Sequence, residues 1–288
     1  MAGTSNIVKN GNIVMDAVRA ADHDRYLSAL YAPAEKRDAL LALYAFNAEI
    51  AGVRDRIHEP LPGEVRLQWW RDVIAADGDA ETGHPTADAL RATIIADRLP
   101  KTAFENMLEA RIFDLYDDPM PSRTDLEGYC GETAAALVQL AAMVLDPVAA
   151  PGFAELAGRA GCAQAITGLL LLLPLHRRRG QCFVPADILV AAGTSPEAFV
   201  KGEDAPAAER AVAAMIALAR EHLNAFEKAA PALPVSLRPA FLPLALTRAY
   251  LDKMERARGS PLGATAALST LRRHWLLLRH AMRGWTPL

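Results

Sequence analysis

Apolar residues recur at intervals of three and four positions along most of this 288-residue chain. The stretches AEKRDALLALYAFNAEIAGVRDRI, from residue 34, and AERAVAAMIALAREHLNAFEKAA, from residue 208, keep this spacing throughout. Such spacing places the apolar side chains on one face of an α-helix. No convincing run of alternating β-branched residues indicates a strand. The sequence therefore predicts an all-α fold.

Proline and capping residues mark where the predicted helices begin. Proline fits the first turn of a helix because the backbone N–H groups there have no partner within the helix. The sequence Thr124-Asp-Leu-Glu127 matches a capping box and predicts a helix that begins there and continues through Leu145. The other predicted starts lie at Pro33, Pro85, Pro100 and the pair Ser195-Pro196.

Composition and charge narrow the class of protein. With 52 % hydrophobic and 23 % charged residues, the chain can build a sizeable core. The formal net charge of −3 and the mixing of both signs along the chain argue against a nucleic-acid partner. No internal repeat or linker divides the sequence. We therefore predict one helical domain over residues 21–288 that follows a flexible segment at 1–20.

The three cysteines, Cys130, Cys162 and Cys182, bear on the compartment. Their odd number and the lack of a CxxC spacing fit neither a disulfide framework nor a zinc site, which favours a reducing cytosol. The first residues carry no signal or transit pattern, and the longest leucine run, 169–173, is far below the roughly 20 residues of a membrane span. We predict a cytoplasmic protein, with peripheral contact at the inner face of the membrane left open.

Three segments carry a resemblance to a known family. They are LYAFNAEIAGVRDRI from residue 43, YCGETAAALVQL from residue 129 and GCAQAITGLLLLLPLHRRRGQCFVP from residue 161. In order, spacing and several identities they resemble the squalene/phytoene synthase family, over roughly residues 24–250. The resemblance implies an isoprenoid-synthase-type helical bundle around a central cavity. It also implies prenyl condensation with Mg²⁺ ions that aspartates on two facing helices hold.

The positions that correspond to those aspartates hold few acids in this chain. The family's first block reads approximately Tyr-Ala-Phe-Cys-Arg-x-x-Asp-Asp-x-x-Asp, and its three acidic positions here are Ala51, Gly52 and Asp55. The two aspartates of the third block are replaced by Leu172 and His176. Magnesium needs oxygen ligands, so leucine offers nothing and histidine is a poor substitute. We therefore predict a vestigial site with no assigned catalytic residue, no metal and no cofactor.

The same resemblance implies which residues line the central cavity. Leucines at the former diphosphate site would make its wall apolar, which favours a prenyl chain or another lipid as the ligand. The predicted cavity-lining residues are Tyr44, Phe46, Tyr129, Gln164, Thr167, Gly168 and Leu172.

These departures resemble one branch of the family, whose members assist the assembly of respiratory complex I. We predict a non-catalytic assembly or scaffold factor with a protein partner from that complex. The alternative is an active Mg²⁺-dependent synthase that condenses farnesyl or geranylgeranyl diphosphate head to head. Its only plausible acids are Glu49, Asp55 and Asp114, and the first two are six residues apart, on different faces of a helix.

Two basic segments have a structural and a binding interpretation. Arg177, Arg178 and Arg179 could bind a phosphate or an anionic lipid, but such a run more often caps helix carbonyls and stays solvated. The C-terminal LRRHWLLLRHAMRGW, from residue 271, is a basic amphipathic helix. Helices of this kind can lie on an anionic membrane, although packing of one face onto the bundle is favoured here.

Three further residues have a plain interpretation that we favour. Asp55 pairs with an arginine such as Arg54 or Arg56 rather than with a metal, and His176 is a polar residue at a helix end. The adjacent Trp69 and Trp70 cannot both face one core, because neighbouring helical residues point about 100° apart. We expect one buried tryptophan and one half-buried tryptophan.

Overall fold

The computed structural model describes residues 2–76, 81–256 and 267–285, with side chains from residue 11 onward. These residues form α-helices joined by turns and short 3₁₀ segments, and none of them lies in a strand. The all-α prediction is confirmed for the described part of the chain.

The helices are numbered in the order in which they occur along the chain. The described α-helices are α1 (Ala2–Ala21), α2 (His23–Ala29), α3 (Ala34–Ala51), α4 (Val53–Arg56), α5 (Pro60–Ala75), α6 (Pro85–Ala96), α7 (Lys101–Ile112), α8 (Arg123–Cys130), α9 (Ala136–Leu145), α10 (Ala154–Leu171), α11 (Leu173–Arg178), α12 (Ala186–Ala192), α13 (Pro196–Lys201), α14 (Ala205–Ala229), α15 (Arg238–Phe241), α16 (Thr247–Arg256) and α17 (Thr270–Arg283). A π-helical turn, Gly131–Ala135, joins α8 to α9, and 3₁₀ segments lie at Phe113–Leu115, Ala150–Phe153, Ala230–Ala232, Val235–Leu237 and Leu242–Leu246.

Most of the predicted helix starts are confirmed. Pro33 and Pro100 are the N-caps of α3 and α7, Pro85 is the first residue of α6, and Ser195 caps α13 with its hydroxyl. Pro196 follows Ser195 as the first helical residue, where its missing N–H removes no hydrogen bond.

The prediction that Thr124 caps the next helix is wrong. The cap of α8 is Ser122, whose hydroxyl accepts a hydrogen bond from the backbone N–H of Asp125 at 3.2 Å. Glu127, the other end of the predicted capping box, contacts the side chains of Arg123 and His222 instead of completing a capping box with Thr124. The helix nevertheless continues to Leu145, as predicted.

The contacts between helices group into two compact units. The first comprises Met1–Tyr116, Ala136–Ala154 and Pro234–Pro243, and the second comprises Asp117–Ala135, Glu155–Leu233 and Leu244–Leu288. Each unit is assembled from three separate stretches of chain, so neither corresponds to one contiguous segment.

The first unit is built around α3, which packs against α1, α6 and α9. Phe46 of this helix is fully buried and meets the ring of Trp70 edge-on at 5.1 Å and that of Phe104 at 5.6 Å. Aromatic rings in such edge-to-face pairs attract each other in addition to the apolar area that they bury. This aromatic cluster is the centre of the unit's core.

Helix α1 overlaps the N-terminal segment for which the sequence predicts flexibility, residues 1–20. It contacts α3 and α6, and Val14 and Val18 are buried there. These two valines are four positions apart and therefore share one helix face. Burial of that face stabilises the helix against the rest of the first unit.

One described helical stretch, Arg123–Leu145, could cross a membrane by its length and by the mean hydropathy of 1.3 in its most apolar 18-residue window. However, 56 % of its most apolar window is buried inside the protein. Burial of this extent is common for a core helix in a protein that is not inserted in a bilayer.

In the second unit, α10 approaches the π-helical turn at the distance of backbone contact. A Cβ atom added to Gly161 would overlap the backbone nitrogen and Cα of Ala135. The small residues Thr133, Ala134 and Ala135 are buried on the other side of this contact. Only glycine therefore fits at position 161, since neither backbone can yield as a flexible side chain could.

We expect the Gly161→Ala substitution to lower the free energy of unfolding by about 3 kcal/mol, because the added methyl group forces two helices apart. Gly158→Ala on the same helix is the matched control, since no atom lies within 4 Å of its added Cβ. Urea unfolding followed by circular dichroism should show a change of less than about 1 kcal/mol for the control, in the stabilising direction. Equal effects of the two substitutions would contradict the close approach.

Candidate functional site

The first motif block ends at the junction of α3 and α4. Ala51 is the last residue of α3, Gly52 is its C-cap, and Asp55 lies exposed on α4. The guanidinium of Arg56 donates hydrogen bonds to the backbone carbonyl oxygens of Glu49, at 2.8 Å, and Gly52, at 3.2 Å. The three positions that correspond to metal-binding acids thus form a helix junction that carries one carboxylate.

The two other acids considered as metal ligands are engaged by cationic side chains of the same unit. Glu49 accepts a hydrogen bond from Arg66 at 3.2 Å and lies 3.4 Å from the ring of His84. Asp114 is buried and paired with Arg111 at 2.9 Å. A metal ion at either carboxylate would have to displace an arginine.

Tyr44 and Phe46, predicted to line the cavity, are both buried in the first unit. The Tyr44 hydroxyl has no hydrogen-bond partner among the described residues. Burial raises the pKa of Tyr44 to about 12 against the lowering effect of Arg25, because the phenolate would lose its hydration there. An unpaired buried hydroxyl is unusual and marks this motif position as a site of interest.

The expectation for the two tryptophans is confirmed. Trp70 is fully buried, whereas Trp69 is half-buried. The guanidinium of Arg66 lies 4.2 Å from the centre of the Trp69 ring, a cation–π contact that covers the outer tryptophan.

The second motif block contributes α8, with Tyr129 half-buried and its ring centre 6.2 Å from that of Phe183. Cys130 and Cys162 are buried free thiols, and a hydrogen bond between them lowers the pKa of Cys162. The cysteine pair was not predicted, because its members belong to different motif blocks.

A polar network that the sequence analysis missed lies beside these cysteines. Buried His222 of α14 is 3.0 Å from a carboxylate oxygen of Glu127, which also pairs with Arg123 at 3.0 Å. Arg123 donates a second hydrogen bond, at 2.9 Å, to Glu221, and this bond lowers the pKa of that carboxyl. The only signal in the sequence was a histidine on the apolar face of α14.

The third motif block begins on α10. Gln164 and Gly168 are half-buried, and Thr167 is buried with its hydroxyl donating to the carbonyl oxygen of Ala163 at 2.7 Å. No atom lies within 4 Å of a Cβ built on Gly168. Space beside Gly168 is therefore open, while the Thr167 hydroxyl serves its own helix.

The leucine run is divided between two helices. Leu172 separates α10 from α11, because Pro174 has no N–H and its ring would clash with the helical carbonyl four residues earlier. Leu172 is 48 % exposed and Leu175 is 37 % exposed. His176 is buried with its ring centre 4.6 Å from that of Phe183. Neither former aspartate position offers an accessible oxygen.

The three arginines that follow take different places. Arg177 donates hydrogen bonds to the carbonyl oxygens of Phe199, at 3.2 Å, and Val200, at 3.0 Å, in the last turn of α13. Burial lowers its pKa. Arg178 is exposed and Arg179 is half-buried. Arg177 thus caps carbonyls of a neighbouring helix rather than those of its own helix.

A cavity of about 350 Å³ lies within the second unit, among α14, α16 and α17. Apolar residues such as Leu244 and Trp285 line it together with charged groups that include Arg248, Arg272 and Arg279. None of the predicted cavity-lining residues belongs to it.

Groups of three or more His, Cys, Asp or Glu side chains placed to hold a metal ion do not occur among the described residues. The residues present at the family's metal positions also do not fit Mg²⁺, since Leu172 has no donor atom and His176 packs on an aromatic ring.

The family model for squalene/phytoene synthase matches residues 18–279. The chain is 30 % identical over 248 residues to NADH dehydrogenase (ubiquinone) complex I, assembly factor 6, of Mus musculus, covering 84 % of this chain and 73 % of that protein. A phytoene synthase of Rhodobacter capsulatus is 25 % identical over 195 residues, covering 65 % of this chain and 56 % of that protein.

Solved structures show the fold. A dehydrosqualene synthase superposes with a TM-score of 0.77 at 17 % identity, covering 96 % of both chains. A squalene synthase from Alicyclobacillus acidocaldarius gives a TM-score of 0.70 at 18 % identity, covering 99 % of this chain and 97 % of that one. The chain therefore has the helical fold of these synthases.

We expect Tyr44→Phe to leave stability at pH 8 unchanged or slightly higher, because it removes a buried hydroxyl without a described partner. With the folded pKa at about 12 and the ordinary value at 10.0, the unfolded chain loses this proton first as pH rises. The free energy of unfolding that the protonated Tyr44 contributes below pH 10 is therefore lost as the pH rises toward 12. At pH 11 the wild-type protein should have lost about 1 kcal/mol in this way, and the variant, which has no such hydroxyl, should not.

Urea unfolding of both proteins at pH 8 and pH 11 measures this difference. Tyr31→Phe is the control, since Tyr31 is exposed and its removal should change the pH dependence much less. Destabilisation of Tyr44→Phe at pH 8 would show that the hydroxyl has a hydrogen-bond partner.

Proposed function

This chain belongs to the squalene/phytoene synthase family, and on that premise we propose that it is a non-catalytic member that acts as an assembly or scaffold factor for respiratory complex I. The observation that carries the proposal is the residue set at the family's metal positions, where Asp55 is the one carboxylate. The names of several relatives, which are complex I assembly factors, support the role.

The chemistry of the family explains why that residue set matters. As the resemblance implies, a synthase ionises an allylic diphosphate, and the negative charge of the leaving group needs Mg²⁺ held by carboxylates. Electrostatic stabilisation of such charge is usually the largest contribution to catalysis. One exposed carboxylate and a buried histidine cannot gather several divalent ions. A site with these residues is better suited to binding a ligand than to ionising an allylic diphosphate.

The second step of the argument concerns replacement ligands. Glu49 and Asp114 are held by arginines within their own unit. Removing an arginine from a buried acid leaves an uncompensated charge, which is strongly unfavourable. These acids therefore do not make good substitutes for the family's aspartates.

A prenyl or other lipid chain is the ligand that we propose for the retained fold. The exposed Leu172 and Leu175 and the open space beside Gly168 support this part of the proposal, because they offer apolar surface at and around Leu172, where a synthase carries an acid. We also propose a cytoplasmic location with peripheral contact at the membrane where the complex is assembled.

Deletion of the gene in the organism that encodes it should lower the amount of assembled complex I, measured on native gels and as NADH:quinone activity. The wild-type gene and the Asp55→Ala variant should restore complex I equally, since the remaining carboxylate has no catalytic role in a scaffold. The purified protein should release no diphosphate from farnesyl or geranylgeranyl diphosphate in the presence of Mg²⁺.

Mg²⁺-dependent diphosphate release that Asp55→Ala abolishes would overturn the proposal and establish the active synthase instead. Normal complex I in the deletion strain would contradict the assembly role alone. A family synthase assayed in parallel serves as the positive control for the release measurement.

A further inference from the structure

Helix α17 presents an apolar stripe to the surface of the second unit. Its exposed large apolar side chains follow each other at intervals of four, three and four residues, which keeps them on one helix face about 16 Å long. They are Leu271 at 86 % exposure, Trp275 at 63 %, Leu278 at 42 % and Met282 at 73 %. We call these four residues the outer stripe; no other described helix exposes as many large apolar residues.

The opposite face fixes the orientation of the helix. Leu277 is fully buried, and Trp285, just beyond the helix, is buried edge-on against Phe226 of α14 at 5.1 Å. Arg273 on the same side reaches the hydroxyl of Tyr250 at 3.4 Å. These contacts account for the packing that the sequence analysis favoured. The outer stripe faces away from the unit because this inner face is already occupied.

A row of arginines lies beside the outer stripe. At about 100° per residue, Arg272, Arg279 and Arg283 fall on a common side of α17, about 90° from the centre of the stripe. The acids that line the same cavity as Arg272 and Arg279 are Glu227 and Asp252, and they are already bound by Arg248 and Arg220. Arg272 and Arg279 therefore have positive charge that no described acidic side chain neutralises by direct contact.

The charge of the surrounding sequence has the same sign. Residues 256–288 contain six arginines and no Asp or Glu, although the whole chain has a formal net charge of −3. An acidic protein thus concentrates positive charge in the segment that carries the outer stripe. This distribution identifies the partner surface as negatively charged and, beside the stripe, apolar.

We propose that α17 docks on the surface of an anionic lipid bilayer. The helix lies in the plane of the interface, with the outer stripe in the boundary between headgroups and acyl chains. The arginine row contacts lipid phosphates. Amphipathic helices bind membranes through this combination of apolar area and basic charge, and tryptophan is favoured at this depth. The three arginines of this row lie beside an exposed apolar stripe, whereas Arg177 of the run Arg177–Arg179 is held by the carbonyl oxygens of Phe199 and Val200.

Flotation of the full-length protein with lipid vesicles tests the docking. We expect binding to vesicles of phosphatidylglycerol and phosphatidylcholine, and at least about tenfold weaker binding to phosphatidylcholine alone. Raising the salt concentration from about 0.05 M to about 0.5 M should weaken binding to the anionic vesicles, because the added ions screen the charge of the arginines.

Paired variants separate the two parts of the surface from general effects. Leu271→Ser with Trp275→Ser should weaken vesicle binding at least about tenfold. Leu61→Ser with Val65→Ser on α5 is the matched control, since these residues are also four apart and are 72 % and 70 % exposed. Arg272→Glu with Arg279→Glu should weaken binding at least as much, whereas Arg178→Glu with Lys201→Glu makes the same change of charge elsewhere and should not.

Several outcomes would overturn the proposal. These are equal binding to both kinds of vesicle, full binding by the outer-stripe variant, or equal losses in the variants and their controls. If the outer stripe binds a protein instead, the wild-type chain should not bind vesicles. It should then retain a protein partner that the outer-stripe variant does not retain. Circular dichroism of each variant verifies folding. The test uses purified protein and vesicles only, so its result is independent of the complex I experiment.

Discussion

The close approach of Gly161 to Ala135 is the constraint on which the second unit depends. It holds α10 against the π-helical turn, and it thereby brings the start of the third motif block next to the second motif block. The buried thiols Cys130 and Cys162 face each other because their helices meet there. Residues that a family retains for such packing preserve a fold even when the chemistry that the fold hosts has changed.

The positions that correspond to the family's metal-binding acids serve local structure in this chain. Helix junctions occupy the metal positions: α3 ends at Ala51, and the leucine run breaks at Leu172 because of Pro174. The basic residue Arg177 serves the carbonyls of α13 rather than a diphosphate. Groups that could stabilise a leaving anion are thus employed in local structure, which is the physical basis for proposing a scaffold rather than a synthase.

Local signals in the sequence predicted the fold well, because apolar periodicity and proline act within a few residues. Pro33, Pro85 and Ser195 mark helix starts correctly, whereas Thr124 fails because Ser122, two residues earlier, caps the helix instead. The pair of Glu127 and His222 could not be predicted, since 95 residues separate them. Similarly, the sequence shows that α17 is amphipathic, but only packing reveals which apolar residues remain outside.

The central claim is that the residues at the family's metal positions supply too few oxygen ligands for a cluster of divalent ions. Electron paramagnetic resonance of the protein titrated with Mn²⁺ in the presence of inorganic pyrophosphate measures this directly, because bound and free Mn²⁺ give different signals. The account predicts no Mn²⁺ bound beyond that in a protein-free solution of the same pyrophosphate concentration. Two or more Mn²⁺ ions bound per chain, with pyrophosphate retained, would contradict it.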